Sequence, residues 1–100
     1  MAKGQYELAL IPHRVDGELI EQRAIDGYIN ATAMCRAAGK QFNDYTRLNV
    51  SKLYFDELES VTGIPVTELI QSVRGGGPTV QGSWVHPKVA IHLAQWLSPR

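Results

Sequence analysis

The chain changes from a strand pattern to a helix pattern within one stretch, Asp26-Gly27-Tyr28-Ile29-Asn30-Ala31-Thr32-Ala33-Met34-Cys35-Arg36-Ala37-Ala38-Gly39. Its opening Asp-Gly pair is a turn signal, and the two residues after it predict a very short strand. Asn30 is a good helix N-cap, because its side chain can accept a hydrogen bond from an unpaired backbone N–H. Four apolar residues then fall at i, i+3, i+4 and i+7, which predicts a short helix ending before Gly39. They are Ala31, Met34, Cys35 and Ala38.

Strand patterns occupy the residues before this stretch. Tyr6, Leu8 and Leu10 alternate with other residues, which is the period of two of a half-buried strand. Asp16-Gly17 is a turn pair able to adopt positive φ, so residues 18–25 are predicted to run back antiparallel. Together with the short strand at Tyr28-Ile29, these residues predict a small meander.

Two helical pieces are predicted after it, over residues 41–48 and 52–62. The pattern leaves open whether they form one kinked helix or two. Asn49-Val50-Ser51 is a plausible break between them, with Ser51 as the cap of the second piece. The second piece presents Leu53, Tyr54 and Leu58 as apolar residues and is closed by Gly63.

The last third of the chain predicts a β-hairpin followed by a helix. Residues 69–73 and 80–86 favour strands, and the loop Arg74-Gly75-Gly76-Gly77-Pro78-Thr79 between them predicts a long hairpin tip. Pro87 stands where helices often begin, and Pro99 ends this helix. Apolar residues on most of its sides predict a well-buried helix. Its core stripe is Ala90, Leu93, Ala94 and Leu97, widened by Val89, Ile91 and Trp96.

The composition is that of one globular domain without net charge. The chain has 100 residues, of which 44% are hydrophobic and 20% charged, and Lys plus Arg equals Asp plus Glu at 10 each. Its single cysteine cannot form an intramolecular disulfide. No apolar run is long enough to span a bilayer, and the N-terminus lacks the apolar part of a signal peptide. We therefore expect a cytoplasmic protein that has no membrane contact.

The neutrality results from cancellation between segments of opposite charge. Residues 36–52 and 70–100 each carry a net charge of +3, whereas residues 1–30 carry −2 and residues 56–68 carry −4. One surface could therefore be basic while the rest is acidic. This distribution permits nucleic-acid binding, although charge runs of this size are often only solvated faces.

No pattern for catalysis or metal binding is present. Cys35 lies on the apolar stripe of its helix, which is typical of an inert core thiol. The three histidines, His13, His86 and His92, lack the spacing of zinc ligands. The three glycines at 75–77 are not followed by the Gly-Lys-Ser/Thr of a phosphate loop. We therefore expect no enzyme, no cofactor and no metal site.

A short helix, a glycine turn and a second helix outline a helix-turn-helix, with the predicted hairpin beside it as a wing. Phe42 and Tyr45 are predicted to face the core, which leaves polar side chains for a DNA groove. Arg, Asn and Gln can pair with base edges, and glycines let the backbone approach a phosphate closely. The candidate DNA-binding residues are Arg36, Lys40, Gln41, Asn43, Arg47, Asn49, Lys52, Arg74, Gly75, Gly76, Gly77 and Gln81.

Four motifs, in this order, resemble the KilA-N domain, and the resemblance covers about residues 6–99. They are Asp26-Gly27-Tyr28-Ile29-Asn30-Ala31-Thr32, Lys40-Gln41-Phe42-Asn43-Asp44-Tyr45, Gly82-Ser83-Trp84-Val85-His86-Pro87, and Ala90-Ile91-His92-Leu93-Ala94-Gln95-Trp96-Leu97-Ser98-Pro99. KilA-N domains occur at the N-terminus of proteins of bacteriophages and large DNA viruses, and they are similar to the fungal APSES transcription-factor domain.

The resemblance implies an α+β, winged-helix-like fold: a small antiparallel β-sheet with a helix-turn-helix and a β-hairpin wing. By analogy with APSES domains, residues 40–49 would be the recognition helix and residues 74–81 the wing. Tyr28, Trp84, Val85 and Leu93 would belong to the core, whereas Asn30 and Thr32 would cap the first helix.

The implied function is that of a DNA-binding domain in a viral or prophage regulatory protein, with double-stranded DNA as the partner. The alternative is a protein-interaction module of a phage antirepressor-type regulator, whose partner would be a repressor. We expect residues 1–100 to form a single domain, the N-terminal part of a longer protein.

Overall fold

Five short antiparallel strands form one sheet in the computed structural model, which describes residues 9–76 and 80–98. The strand order is β1-β2-β3-β5-β4, so the short third strand joins the two predicted hairpins. The predicted strand residues Tyr6 and Leu8, and Gly77 of the predicted hairpin tip, lie outside the described residues. The α+β class with a small antiparallel sheet is confirmed. The strands are β1 (Leu10–Val15), β2 (Glu18–Arg23), β3 (Ile29–Asn30), β4 (Ile70–Val73) and β5 (Gly82–Val85).

The first hairpin turns at Asp16-Gly17 as predicted. Both residues are left-handed, with φ of 51° and 82°, and Val15 pairs with Glu18 across the turn. Two consecutive left-handed residues give the tight turn whose twist matches that of paired strands. The return strand ends at Arg23 rather than at residue 25, because the backbone turns there and the N–H of Gly27 donates to the Arg23 carbonyl at 2.7 Å.

The predicted helical region 41–62 forms two separate helices. Leu48 separates them, since its extended backbone (φ −71°, ψ 142°) lies outside the helical region. The prediction that Ser51 caps the second piece is wrong, because Ser51 falls inside the helix and is buried. Within the described residues, five helices are present: α1 (Ala31–Ala37), α2 (Phe42–Thr46), α3 (Asn49–Thr62), α4 (Val66–Leu69) and α5 (Pro87–Leu97).

Helix α1 begins and ends as predicted but buries a different set of residues. The Oδ1 of Asn30 accepts the N–H of Ala33 at 3.1 Å, and Gly39 follows the helix with φ of 71°. Ala33 is buried and Ala38 is exposed, so the predicted stripe is wrong at both positions. The reason is that α1 packs against β2 and β5 as well as against α5, and these neighbours cover more than one of its sides.

The core lies where the sheet, α3 and α5 meet, and Tyr45, Phe55 and Leu93 are among its buried residues. The predicted burial of α5 on most sides is wrong: Ala94 is exposed, and the side chain of Ile91 is 62% exposed. The inner side of α5, by contrast, buries Val89, Ala90 and Leu93. Apolar residues on the outer side of this helix are therefore left at the surface of the described structure.

Candidate nucleic-acid interface

The hairpin of β4 and β5 is fastened to the start of α1 by two side chains. The Nδ2 of Asn30 donates to the carbonyl of Gln81 at 3.4 Å, and the Oγ1 of Thr32 accepts the N–H of Ser83 at 3.0 Å. Thr32 therefore holds the hairpin instead of capping the helix. The position of Thr32 in the sequence did not indicate this contact with the hairpin. These bonds fix the predicted wing relative to the first helix of the helix-turn-helix outline.

Gly82 makes this attachment sterically possible. A Cβ at this position would lie 3.0 Å from both Asn30 Oδ1 and Thr32 Oγ1, and the φ of Gly82 is 135°. Contacts this short would push the hairpin away from the first helix. The Gly-Ser pair in the third motif therefore marks the point of contact between the hairpin and α1.

A groove lies between the hairpin and α1, with a volume of about 350 Å³. Arg36 lines it from the helix and Arg74 from the hairpin. Gln81 also lines it, and its Oε1 accepts the N–H of Gly75 at 3.3 Å, which ties the two arms of the hairpin together. Two guanidinium groups from distant parts of the chain thus line one groove, which can accept an anion. The full lining is Thr32, Arg36, Val73, Arg74, Gln81 and Gly82.

A second groove of about 190 Å³ adjoins the first, because Thr32 and Arg36 line both. Lys40 and Gln41, at the start of the predicted recognition segment, form its opposite side together with Phe42. The predicted site residues that surround these two grooves are Arg36, Lys40, Gln41, Arg74 and Gln81. Their meeting around α1 makes this helix the centre of the candidate interface.

The other predicted site residues do not line either groove. Asn43 and Arg47 are exposed on α2 and at its end, and Asn49 and Lys52 are exposed in the first turn of α3. Gly75 and Gly76 are exposed beside the first groove, in the part of the tip that the structure describes. The predicted set therefore divides into residues around the grooves and residues along α2 and the start of α3.

Several cations of this surface already have partners. Arg36 lies 3.7 Å from the carboxylate of Glu18, and Arg47 pairs with Asp44 one turn earlier. The ammonium group of Lys40 donates to the carbonyl of Trp96 at 3.3 Å and lies 4.6 Å from the centre of its indole ring. Arg74 and Lys52 make no ion pair with the described residues. A phosphate would therefore meet Arg74 and Lys52 directly but compete with carboxylates for Arg36 and Arg47.

Helix α2 is anchored by Tyr45, which is fully buried. Its hydroxyl is hydrogen-bonded to Nδ1 of His92 at 2.6 Å, and its ring packs against those of Phe55 and Trp96. The ring of Tyr54 stacks on His92 with their centres 4.1 Å apart. Burial raises the pKa of Tyr45 and lowers that of His92, so both groups stay neutral. This short helix is thereby fixed in orientation mainly through Tyr45, together with Phe42, which packs against the core with its ring centre 5.9 Å from that of Tyr45.

We expect the free energy of unfolding to decrease as the pH falls from about 7 towards 5.5, because burial disfavours the charged form of two histidines, His92 and His86. His86 accepts the N–H of Lys88 at 3.0 Å, and burial lowers its pKa, as does the nearby Lys88 charge. The unfolded chain binds protons near the ordinary pKa of 6.5, before the folded chain does. Urea unfolding at a series of pH values measures the effect.

The variant His92→Gln is the control for this pH dependence, since an amide side chain can still form a hydrogen bond with the Tyr45 hydroxyl but does not titrate. It should lose part of the decrease between pH 7 and 5.5, a range set by the ordinary histidine pKa of about 6.5. A free energy of unfolding that is constant over this range in the native chain would contradict the assignment.

Cys35 lies beneath the second groove and is not a reactive group. Its thiol is buried, and burial raises its pKa to about 11. Among residues 9–76 and 80–98, no group of three His, Cys, Asp or Glu side chains is positioned to hold a metal ion. No helix in those ranges is long and apolar enough to cross a membrane. The described surface around the two grooves therefore offers hydrogen-bonding and cationic groups.

Comparison with known proteins identifies the family. The family model of the KilA-N domain matches residues 12–100. The KilA-N domain-containing protein L4 of Acanthamoeba polyphaga mimivirus is 38% identical over 74 residues, which is 73% of this chain and 16% of that protein. Protein R878 of the same virus, also named for a KilA-N domain, is 35% identical over 81 residues, 75% of this chain and 23% of that protein.

A more distant relative comes from another virus. The uncharacterized protein FPV236 of fowlpox virus is 26% identical over 85 residues, which is 85% of this chain and 29% of that protein. The chain thus spans less than a third of the length of these viral relatives. No solved structure matches the chain. From the family match and the mimivirus relatives, the chain belongs to the KilA-N family, whose members are generally DNA-binding domains.

Proposed function

We propose that this domain binds double-stranded DNA through the two adjoining grooves around α1, with residues 40–49 entering the major groove and residues 74–81 contacting the neighbouring backbone. The observation that carries the proposal is that Arg36 and Arg74 line one groove from two different elements. A groove with two guanidinium groups fits a phosphate, because each can donate two parallel hydrogen bonds to its oxygens. Membership of the KilA-N family supports the same function, and KilA-N is not a known enzyme family.

Sequence recognition would come from the amide and guanidinium groups along α2 and the start of α3. Gln41, Asn43 and Asn49 are exposed there, and a carboxamide can pair with the edge of adenine. Arg47 can pair with guanine once it leaves Asp44, whereas Lys52 and Arg74 suit phosphates. We assign base reading to the three carboxamide side chains and Arg47, and positioning on the duplex to Lys52 and Arg74.

The protein that contains this domain would then be a viral or prophage regulator, which fits the viral origin of its relatives. Selection of bound duplexes from a random-sequence pool tests DNA binding and sequence preference together. We expect an enriched motif and an affinity that falls with salt, with a log–log slope of about −0.9 for each phosphate neutralised. Failure to retain any duplex at low salt would refute the proposal.

Neutralising Glu18 should raise the affinity for DNA, because the carboxylate of Glu18 now occupies Arg36. In Glu18→Gln, we expect roughly a two- to fivefold lower dissociation constant at low salt, the range of an exposed ion pair of up to about 1 kcal/mol. Fluorescence anisotropy with a labelled duplex measures the change.

The matched control is Glu21→Gln on the same strand. Side chains of residues an odd number apart point to opposite faces of a strand, so this variant makes the same change of charge away from Arg36. Equal gains in both variants would mean that only net charge matters, and no gain in either would mean that Arg36 does not meet phosphate.

A further inference from the structure

Helix α3 carries an apolar stripe on the side that faces away from the core. The side chains of Val50, Leu53 and Val61 are 60%, 69% and 72% exposed. Their spacing places them on one side of the helix, whereas Phe55 and Leu58 are buried on the other. A helix of a globular domain ordinarily keeps its exposed side polar. We call Val50, Leu53 and Val61 the α3 stripe.

The helix that carries the α3 stripe contacts α5 through Tyr54. Tyr54, beside the stripe, donates its hydroxyl to the carbonyl of Lys88 at 3.1 Å and stacks on His92. Ile91 precedes His92 in the sequence of α5 and is 62% exposed. Ile91 is therefore a further exposed apolar side chain on the helix that Tyr54 contacts.

The charges around the stripe are acidic. Asp56 and Glu57 are exposed on α3, with Glu57 on the stripe side between Leu53 and Val61, and neither forms an ion pair with the described residues. Lys52 is the single base of α3 and lies about 200° around the helix from Val50, away from the stripe. A second copy docked through its own stripe would bring acid against acid, and DNA would be repelled here. The surface matches a partner with basic residues beside apolar ones.

We propose that the α3 stripe and Ile91 form a docking site for a basic amphipathic helix of a partner protein. The leucine-sized side chains of such a helix would cover the stripe, and its lysines or arginines would pair with Asp56 and Glu57. None of these residues lines the grooves around Arg36, but Val50 and Leu53 neighbour Asn49 and Lys52, which we assign to DNA contact.

A synthetic helical peptide with leucine on one side and lysine on the other is the probe for this site. We expect the whole chain to bind it saturably, and the double variant Leu53→Ser/Val61→Ser to weaken the binding by about tenfold or more through the loss of apolar contact. Both substituted side chains are exposed, so the melting temperature should not change. Isothermal titration calorimetry measures the binding.

Three controls make the result specific. Ile25→Ser removes an apolar side chain that is 81% exposed elsewhere, and it should bind the peptide like the native chain. A peptide of the same composition with leucine on all sides, and a peptide with glutamate in place of lysine, should both bind at least about tenfold more weakly.

Two results would overturn the proposal. Equal binding of the peptide with leucine on one side and the peptide with leucine on all sides would mean that charge alone attracts both peptides. Self-association in analytical ultracentrifugation that Leu53→Ser/Val61→Ser abolishes would mean that the stripe is covered by a second copy of the chain. Neither result bears on duplex binding, which the random-pool selection tests separately.

Discussion

Replacing Trp84 with alanine lowers the free energy of unfolding by about 3–5 kcal/mol, the usual loss when a large core aromatic is removed. The side chain of Trp84 is 1% exposed, and its Nε1 donates to the carbonyl of Val80 at 2.6 Å. The guanidinium group of Arg23 also lies 5.6 Å from the centre of its ring. The substitution would leave a cavity, a Val80 carbonyl without its indole donor and an Arg23 guanidinium without its ring contact. The urea concentration at the midpoint of unfolding should therefore fall strongly.

Trp96→Ala is the matched control for this prediction. Trp96 is only half-buried at the end of α5, although its ring also lies against a cation, that of Lys40. We expect a loss of stability clearly smaller than that of Trp84→Ala, because less apolar surface leaves contact with the core. Equal losses in the two variants, or a loss below about 1 kcal/mol for Trp84→Ala, would contradict the placement of Trp84 in the core.

Replacing both Arg36 and Arg74 with alanine weakens duplex binding by about tenfold for each arginine, since a hydrogen bond to a charged group contributes roughly 1.5–3 kcal/mol. The log–log salt slope should become less negative by about 0.9 for each lost phosphate contact. Stability should hardly change, because the ion pair of Arg36 with Glu18 is exposed and Arg74 has no ion-pair partner among the described residues. Anisotropy titrations at several salt concentrations, with a thermal melt of each variant, measure both effects.

Arg14→Ala is the control for this double variant. Arg14 is exposed on β1, and it lines neither of the grooves around α1. If Arg14→Ala weakens binding and changes the salt slope as much as either of the groove arginines does, the contact is a general charge effect. An unchanged slope in the double variant would remove the grooves from the DNA interface.

Much of the fold could be predicted because its boundaries depend on local chemistry. The turn at Asp16-Gly17, the cap at Asn30, the end of a helix at Gly63 and the start of one at Pro87 each depend on the conformation of a few neighbouring residues. The order of the motifs was likewise sufficient to recognise the family. The break between α2 and α3 was misplaced because Ser51 has the chemistry of a cap but is buried by residues distant in sequence.

The candidate site was predictable in its residue types but not in its arrangement. Arg36 and Arg74 could be selected from their charge and from the helix-turn-helix and wing outline, without any signal that they line one groove. Sequence reasoning also missed Glu18, whose pairing with Arg36 joins a strand to a helix, and Thr32, which holds the hairpin. Such contacts join residues that are far apart in the chain, so no local pattern contains them.

Local residue chemistry was thus enough for most of the helix and strand order, for the turn at Asp16-Gly17 and the cap at Asn30, and for the family. The tertiary structure alone decided which sides of the helices are covered: Leu53 and Ile91 are apolar but exposed, whereas Ala33 is buried. It also decided which cations have partners, since Lys40 reaches Trp96 while Arg74 remains unpaired among the described residues. The physical reason is that burial and pairing depend on what packs against a residue, whereas turns and caps depend on its neighbours in the chain.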